Sequence, residues 1–272
     1  MSRISQCFEK LKADGQTALV PYITAGDPEP WVTVPMLHAM VDSGANLLEL
    51  GVPFSDPMSD GPVIQKACER ALKNEVSLQH VLKMVAQFRE KDTETPIILM
   101  GYANPLEAMG YQEFAKQAQK AGVDGVLTVD MPPEESDTFL PLMNQYGIDT
   151  IFLVAPTTTE ARMDTIAQHA KGFIYYVSLK GVTGSASIDA SQLAEKIALL
   201  RQHTDLPVGV GFGIRDGRSA ATVSEVADAV VVGSTLVNCI AEHEQTPENL
   251  PAAVAGLVAE MRHAINARDM AK

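Results

Sequence analysis

The 272-residue chain is 46% apolar and 20% charged, a composition typical of a globular protein that buries a full core. Its formal net charge of −13 argues against a nucleic-acid or acidic-membrane partner, although a local pocket can still attract an anion. No apolar run approaches the roughly 18 residues of a membrane span, and the N-terminus has no apolar signal-peptide core. Three scattered cysteines predict reduced thiols in a cytoplasmic protein.

The first predicted element is an N-terminal helix. Apolar residues from Ile4 to Leu11 recur at helical spacing, Ser2 is a candidate N-cap, and Gly15 follows the predicted end. This helix precedes the first strand, and we expect it to close the bottom of the barrel that the following elements predict.

Eight short apolar runs follow, each continued by a helical pattern. The runs are continuously apolar rather than alternating, as strands covered on both faces are. Eight βα units without a linker predict one domain, residues 1–272, folded as a closed (β/α)8 TIM barrel. A doubly wound open sheet is the alternative, but its first turn is usually glycine-rich, and the first turn here is TAGDPEP. The predicted strands are residues 18–25, 46–52, 96–102, 124–129, 149–155, 172–178, 206–212 and 228–234.

Two long connections interrupt this regular pattern. The segment after the second strand holds an extra helix at Pro62–Lys73, before the helix at Ser77–Lys91. The segment after the sixth strand, LKGVTGSASIDA, is also long. Both follow the C-terminal ends of strands, where barrels carry their functional loops.

The acidic residues in and after the strands fall into two groups, one at each end of the barrel. Glu49 and Asp130 close strands and therefore lie at the C-terminal face, where barrels have their active sites. Asp56 and Asp60 lie in the loop that follows Glu49. Three aspartates open strands at the opposite face, and we predict structural roles for them: Asp124, Asp149 and Asp228.

None of the eight runs contains a lysine or a histidine. A Schiff-base aldolase needs a desolvated lysine inside the barrel, and a metal-dependent barrel enzyme needs a cluster of metal ligands such as histidines. The six histidines fall in helical or surface patterns. We therefore expect metal-free acid/base chemistry by carboxylates, in which a tyrosine can take part.

The loops after strands 7 and 8 predict a phosphate site. Glycines in GVGFGIRD let backbone N–H groups approach a ligand, and GSTLVNCI begins a short helix whose N-terminus favours an anion. Phosphates often bind at these two loops of a barrel. The alternative is that the glycines serve only tight turns. Including GVTG of loop 6, the predicted phosphate-binding residues are Gly184, Gly211, Gly213, Gly233 and Ser234.

Several long motifs resemble those of the tryptophan synthase alpha chain family. LELGVPFSDPMSDGPVIQ is similar to the signature of that family and is far more specific than a short glycine motif. The resemblance covers nearly the whole chain, in order. Its other segments are VPYITAGDP (20–28), GYANP (101–105), GVDGVLTVDMPPEES (122–136), LVAPTT (153–158), YVSLKGVTG (176–184) and VGVGFGI (208–214).

The resemblance implies a barrel that cleaves indole-3-glycerol phosphate to indole and glyceraldehyde 3-phosphate. It assigns the catalytic carboxylates to Glu49 and Asp60. It also implies a beta-chain partner in an α2β2 heterotetramer, with pyridoxal phosphate in the partner and no cofactor in this chain. Two residues depart from the family pattern: Ser59 stands where alanine is usual, and Tyr22 where phenylalanine is common. Neither change removes a catalytic carboxylate.

The implied retro-aldol reaction gives each carboxylate a task. Asp60 would face the positive charge that develops on the indole nitrogen, and Glu49 would move a proton at the glycerol hydroxyl. Burial in an apolar barrel mouth should raise the pKa of Glu49. Thr183 is expected to reach Asp60 when loop 6 closes, and Tyr175 to face the mouth if Tyr176 faces the helices. The predicted substrate-binding residues are Tyr22, Ile64, Met100, Leu127, Tyr175, Thr183 and Phe212.

The stretch PFSDP is stiffer and more apolar than a loop that only binds substrate. Prolines lower the entropy lost on docking, and an aromatic side chain provides a buried anchor. We therefore predict that this stretch and the GYANP turn dock on the beta chain, through Pro53, Phe54, Asp56, Asn104 and Pro105. The alternative is a loop made rigid only to hold Asp60.

Two other functions are open at the sequence level. A different phosphate-binding barrel enzyme of the same pathway would place its acid/base pair on other strands and would lack the acidic loop. A non-catalytic regulatory subunit of the beta chain would not need both Glu49 and Asp60.

Overall fold

The fold is a closed barrel of eight parallel strands, which confirms the prediction and excludes an open sheet. The computed structural model describes residues 1–177, 190–211 and 213–270. Strands pair in chain order, and β8 closes the ring on β1. Each strand lies within its predicted run and is slightly shorter. The bounds are β1 Ala18–Thr24, β2 Leu48–Gly51, β3 Ile97–Gly101, β4 Gly125–Thr128, β5 Asp149–Val154, β6 Ile174–Val177, β7 Val208–Gly211 and β8 Ala229–Val232.

Helices surround the barrel, and α3 is the extra helix that the sequence predicts after the second strand. In the described ranges, none is both long enough and apolar enough to cross a membrane. Short 3-10 turns occur at Pro133–Glu135 and Pro247–Asn249. The helices are α1 Arg3–Ala13, α2 Pro30–Asp42, α3 Pro62–Lys73, α4 Leu78–Arg89, α5 Ala103–Met109, α6 Tyr111–Ala121, α7 Phe139–Gln145, α8 Glu160–His169, α9 Ala190–Leu200, α10 Gly217–Ser224, α11 Ser234–Glu242 and α12 Leu250–Asp269.

Helix α1 covers the bottom of the barrel, as predicted. Ser2 caps it by accepting a hydrogen bond from the Ser5 backbone N–H, which satisfies one of the free donors of the first turn. Its apolar face is buried in one cluster with residues of the barrel interior, through Ile4, Phe8 and Leu11.

Asp124 holds this lower end together through three hydrogen bonds to its carboxylate. Arg3 of α1 donates to Oδ1 at 2.8 Å, Arg89 of α4 donates to Oδ2 at 2.6 Å, and the Ile97 backbone N–H donates to Oδ2 at 2.8 Å. The side chain is 4% exposed, so its negative charge is nearly removed from water and is balanced by two guanidinium groups. The prediction of a structural role is confirmed.

The two other strand-opening aspartates have similar roles. Asp149 accepts a hydrogen bond from the Ser2 hydroxyl and so ties β5 to the start of α1. Asp228 accepts from the Val208 backbone N–H at 2.8 Å and from Arg201 at 3.0 Å. These contacts fix the strands of the lower face relative to their neighbours.

The GYANP segment was expected to be a turn, and that expectation is wrong. Helix α5 begins at Ala103, so Asn104 and Pro105 lie in its first turn. Proline is tolerated there because the first N–H groups of a helix have no intrahelical acceptor. Asp130 accepts a hydrogen bond from the Ala103 backbone N–H at 2.8 Å, which gives this C-terminal-face carboxylate a role at the start of the helix.

Candidate active site

A cavity of about 180 Å³ opens among the C-terminal ends of the strands. Six of the eight strands or the loops that follow them, together with α3, contribute to its wall. All of its lining residues except Ile214 and Val231 are predicted site residues. These are Tyr22, Glu49, Ile64, Met100, Tyr175, Gly211, Gly213, Gly233 and Ser234.

Glu49 is the buried carboxyl of this cavity. It lies in β2 and is 1% exposed, and neither carboxylate oxygen has a hydrogen-bond partner among the described residues. Burial, with a smaller contribution from the negative charge of Asp60, raises the pKa of Glu49 to about 8. The carboxyl is therefore mostly protonated at pH 7. A carboxyl that titrates near neutrality in a cavity is suited to donate a proton and take one back.

Asp60 is the second carboxylate, and it comes from the loop between β2 and α3. Tyr102 donates a hydrogen bond from Oη to Asp60 Oδ2 at 2.9 Å, and Gln65 donates to the Asp60 backbone carbonyl at 2.8 Å. Burial raises the pKa of Asp60, whereas the hydrogen bond from Tyr102 lowers it. Asp60 does not line the cavity, yet its charge acts on Glu49, so the two carboxylates are electrostatically coupled.

Tyr102 is a site residue that the sequence reasoning missed. It follows the end of β3 and is 4% exposed, and its hydroxyl accepts a hydrogen bond from the Ser59 backbone N–H at 3.0 Å. Its ring lies against that of Phe54, with 5.3 Å between centroids. The available signal was its position as the last residue of the predicted strand 96–102, beside the strand of Glu49.

Aromatic side chains form part of the cavity wall. Tyr175 lines the cavity, whereas Tyr176 is buried in the core cluster between barrel and helices, as strand alternation predicts. Tyr22 also lines the cavity, and its hydroxyl forms a hydrogen bond of 3.1 Å with the Thr24 hydroxyl. The hydroxyl is the only group by which Tyr22 differs from the phenylalanine that is common in the family that the motifs resemble. The bond to Thr24 gives this hydroxyl a hydrogen-bond partner.

The loops after β7 and β8 meet at one side of the cavity. Gly213 has a φ of +51°, a conformation that favours glycine, and a side chain there would project into open space. Helix α11 begins at Ser234 with Gly233 as its N-cap, and Thr235 donates to the Ile214 backbone carbonyl at 2.5 Å, which joins the two loops. The described lining residues include no lysine or arginine. An anion on this side would therefore be held by backbone N–H groups and the helix dipole.

One of the predicted contacts lies outside the cavity wall, and three others cannot be placed. Leu127 is fully buried in the core cluster of the barrel interior rather than lining the cavity. Thr183, Gly184 and Phe212 lie outside the described residues.

The residues predicted to dock a partner differ in exposure. Pro53 is buried and Phe54 half-buried, whereas Asp56 and Asn104 are exposed and Pro105 is partly buried. The most exposed apolar side chain of the same loop is one that the sequence reasoning did not select: Met58, at 83%. The exposed part of this loop is therefore its tip rather than its first residues.

Comparisons with known proteins agree on one family. The model of the family described as "Tryptophan synthase alpha chain" matches residues 8–266. The tryptophan synthase alpha chain of Thioalkalivibrio sulfidiphilus is 63% identical over 98% of this chain and 100% of its own length, and that of Nitrosococcus oceani is 58% identical over 99% of both. A crystal structure of tryptophan synthase subunit alpha from Legionella pneumophila superposes with a TM-score of 0.92 at 48% identity, covering 98% of this chain and 99% of the other.

Proposed function

Because the chain belongs to the tryptophan synthase alpha chain family, which cleaves indole-3-glycerol phosphate, we propose that Glu49 and Asp60 carry this lyase reaction. The observation that supports the proposal most directly is the Glu49 carboxyl, which is buried in the cavity without a hydrogen-bond partner among the described residues. Burying a polar group without a partner is costly, so a fold that keeps one in its cavity retains it for chemistry.

The reaction proceeds in two proton movements. Protonated Glu49 first delivers its proton to C3 of the indole, which makes the ring an indoleninium cation with an acidic N–H. Asp60, in its ionised form, stabilises the positive charge on that nitrogen. The Glu49 carboxylate then takes the proton of the adjacent glycerol hydroxyl, the carbon–carbon bond breaks, and its electron pair returns to the ring. Indole and glyceraldehyde 3-phosphate leave, and Glu49 is protonated again for the next turnover.

The rest of the cavity holds the two ends of the substrate. Backbone N–H groups around Gly213 and at the start of α11 bind the phosphate, with Gly211, Gly233 and Ser234 beside them. The apolar wall packs on the indole through Tyr22, Ile64, Met100 and Tyr175. Contacts from Thr183 and Phe212 to the substrate, and from Gly184 to the phosphate, are further parts of the proposal, whereas Leu127 supports the cavity only from the core beneath it.

The test is indole release from indole-3-glycerol phosphate by the purified chain, with Asp60→Asn as the diagnostic variant. Asparagine keeps the size of Asp60 but cannot balance the charge on the indole nitrogen, so turnover should fall about 10²-fold or more. Asp42→Asn, at an exposed position at the end of α2, is the matched control. Near-normal turnover by Asp60→Asn would overturn the role of Asp60. A wild-type chain that bound the substrate but released no indole would favour the regulatory alternative.

Membership of the family implies a beta-chain partner. The further proposal is an α2β2 heterotetramer in which the partner carries pyridoxal phosphate and receives the indole, with no cofactor in this chain. In this proposal residues 1–272 act as one domain in the cytoplasm.

The loop of Asp60 and the first turn of α5 form the proposed docking surface, the loop through Pro53, Phe54 and Asp56 and the helix through Asn104 and Pro105. Its support is the exposure of Asp56 and Asn104, together with the exposed apolar side chain of Met58 at the loop tip. Asp56→Ala and Met58→Ala should each weaken the complex, measured as the Kd for a purified beta chain. Asp42→Ala is the control, and an unchanged Kd in both loop variants would contradict docking at this loop.

A further inference from the structure

Tyr102 connects three parts of the structure through one side chain. Its Oη donates to Asp60 Oδ2 at 2.9 Å and accepts from the Ser59 backbone N–H at 3.0 Å, and its ring packs on Phe54 at 5.3 Å. The side chain is nearly fully buried at the end of β3. It therefore joins a rigid strand to a loop in which Asp56, Met58 and Ser59 are exposed.

The geometry fixes the direction of the hydroxyl proton. Because the Ser59 N–H occupies one lone pair of Tyr102 Oη, the single O–H is left to point at Asp60. A phenol that donates to a carboxylate favours the ionised carboxylate, in which both oxygens are acceptors. The packing of Phe54 on the tyrosine ring restricts the ring and so restricts the position of the bond.

We infer that Tyr102 is a positioning residue that holds the Asp60 carboxylate ionised and aimed for the charge on the indole nitrogen. This inference rests on the proposed role of Asp60. Asp60 is carried by a loop whose neighbouring side chains are exposed, so the strand-anchored tyrosine supplies rigidity that the loop lacks. Tyr102 acts through Asp60 and needs no contact with the substrate.

Tyr102→Phe is the variant that isolates this role, because it removes the hydroxyl and keeps the ring that packs on Phe54. Ser59 is an exposed residue, so its N–H can bind water once the tyrosine hydroxyl is removed. We expect kcat to fall about 10-fold, with a smaller change in KM, because one hydrogen bond to a charged group is lost. Tyr111→Phe, a half-buried tyrosine that packs on Phe139 at the start of α6, is the matched control and should be unchanged.

The pH profile separates positioning from a structural role. The hydrogen bond from Tyr102 lowers the pKa of Asp60, so its removal raises that pKa. Since the reaction needs ionised Asp60, the acid limb of kcat/KM should move to higher pH in Tyr102→Phe and stay in place in Tyr111→Phe. An unmoved acid limb in Tyr102→Phe would overturn the inference.

A double-mutant comparison tests whether Tyr102 acts through Asp60. In the Asp60→Asn background, Tyr102→Phe should cause no further loss of turnover, because the group that it positions is already gone. A full additional 10-fold loss in that background would contradict the inference while leaving the role of Asp60 intact. Near-normal turnover in Asp60→Asn alone would instead overturn the proposed function on which the inference rests.

Discussion

Glu49 and Asp124 are two buried carboxyl groups at opposite ends of one barrel, and they differ in their partners. Asp124, at the lower end, is 4% exposed and accepts three hydrogen bonds, two of them from arginines. Glu49, at the upper end, is 1% exposed and has no partner among the described residues. The chain evidently can satisfy a buried carboxylate, and does so where only stability is needed. An unpaired acid at the other end supports the proposal that its proton is used in the reaction.

The largest expected effect is a loss of turnover when the Glu49 carboxyl is replaced by an amide. Glu49→Gln keeps the size of the side chain but removes the proton that is exchanged, so indole release should fall 10²- to 10⁴-fold, the usual contribution of one acid/base group. Substrate binding should persist, because the phosphate loops are unchanged. Steady-state kinetics and calorimetric titration with indole-3-glycerol phosphate measure the two quantities. Near-normal turnover would remove Glu49 from the mechanism.

The matched amide substitution at the lower end, Asp124→Asn, should lower stability and leave turnover unchanged. Asp124→Asn leaves the buried guanidinium of Arg89 and the partly exposed one of Arg3 without a full negative charge, and breaking the buried pair with Arg89 costs about 3 kcal/mol of unfolding free energy. Turnover per folded molecule should be unchanged, because the substitution is at the far end of the barrel. Urea unfolding and an assay on the folded fraction distinguish the effects. A loss of turnover without a loss of stability would contradict this division between the two ends.

Glu49→Gln should raise the free energy of unfolding, whereas Asp124→Asn lowers it. Burial raises the pKa of Glu49 from 4.5 to about 8, so between these values the folded state keeps a proton that the unfolded state has lost. Stability of the wild type therefore falls as pH rises through that window. Glutamine cannot ionise, so the variant should be more stable than the wild type by about 3 kcal/mol at pH 7. The difference should vanish below pH 4.5, and a variant that is less stable at pH 7 would contradict it.

The smallest effect concerns the phosphate loops. Gly213→Val places a side chain at the cavity, where it should weaken binding of glycerol phosphate about 10-fold by keeping backbone N–H groups from the anion. Gly147→Val is the matched control, since Gly147 also has a positive φ and open space around it but lies after α7 and does not line the cavity. Calorimetry measures both affinities. Equal affinities in the two variants would exclude the loop after β7 from the phosphate site.

Strand composition was sufficient to predict the barrel, because continuously apolar runs are typical of strands that are buried on both faces. Tyr175 and Tyr176 illustrate how far this reasoning extends into the site. Alternation predicts that the two tyrosines face opposite sides of the strand, and the structure puts Tyr175 at the cavity and Tyr176 in the core cluster. Glu49 was predicted at the catalytic face on a different ground, as a carboxylate that closes a strand. It is in fact the second of the four residues of β2, and it still lines the cavity.

Long-range contacts could not be predicted in the same way. The partner of Tyr102 is Asp60, 42 residues away, and no periodicity in either segment indicates their distance. Helix α5 was missed because Pro105 is usually a sign of a turn, although the first turn of a helix also accepts it. Local patterns thus predict elements and faces, whereas hydrogen bonds between loops depend on how the elements pack.

The central claim is that the fold keeps the Glu49 carboxyl protonated near neutral pH, and its titration is the most direct test. Glutamate labelled with ¹³C at the side-chain carboxyl gives an NMR signal for Glu49, identified by its loss in Glu49→Gln. In the ligand-free chain the signal should titrate with a pKa of about 8, and the pKa should fall in Asp60→Asn because a neighbouring negative charge is removed. A pKa near 4.5 would show an ordinary ionised carboxylate and would contradict the account.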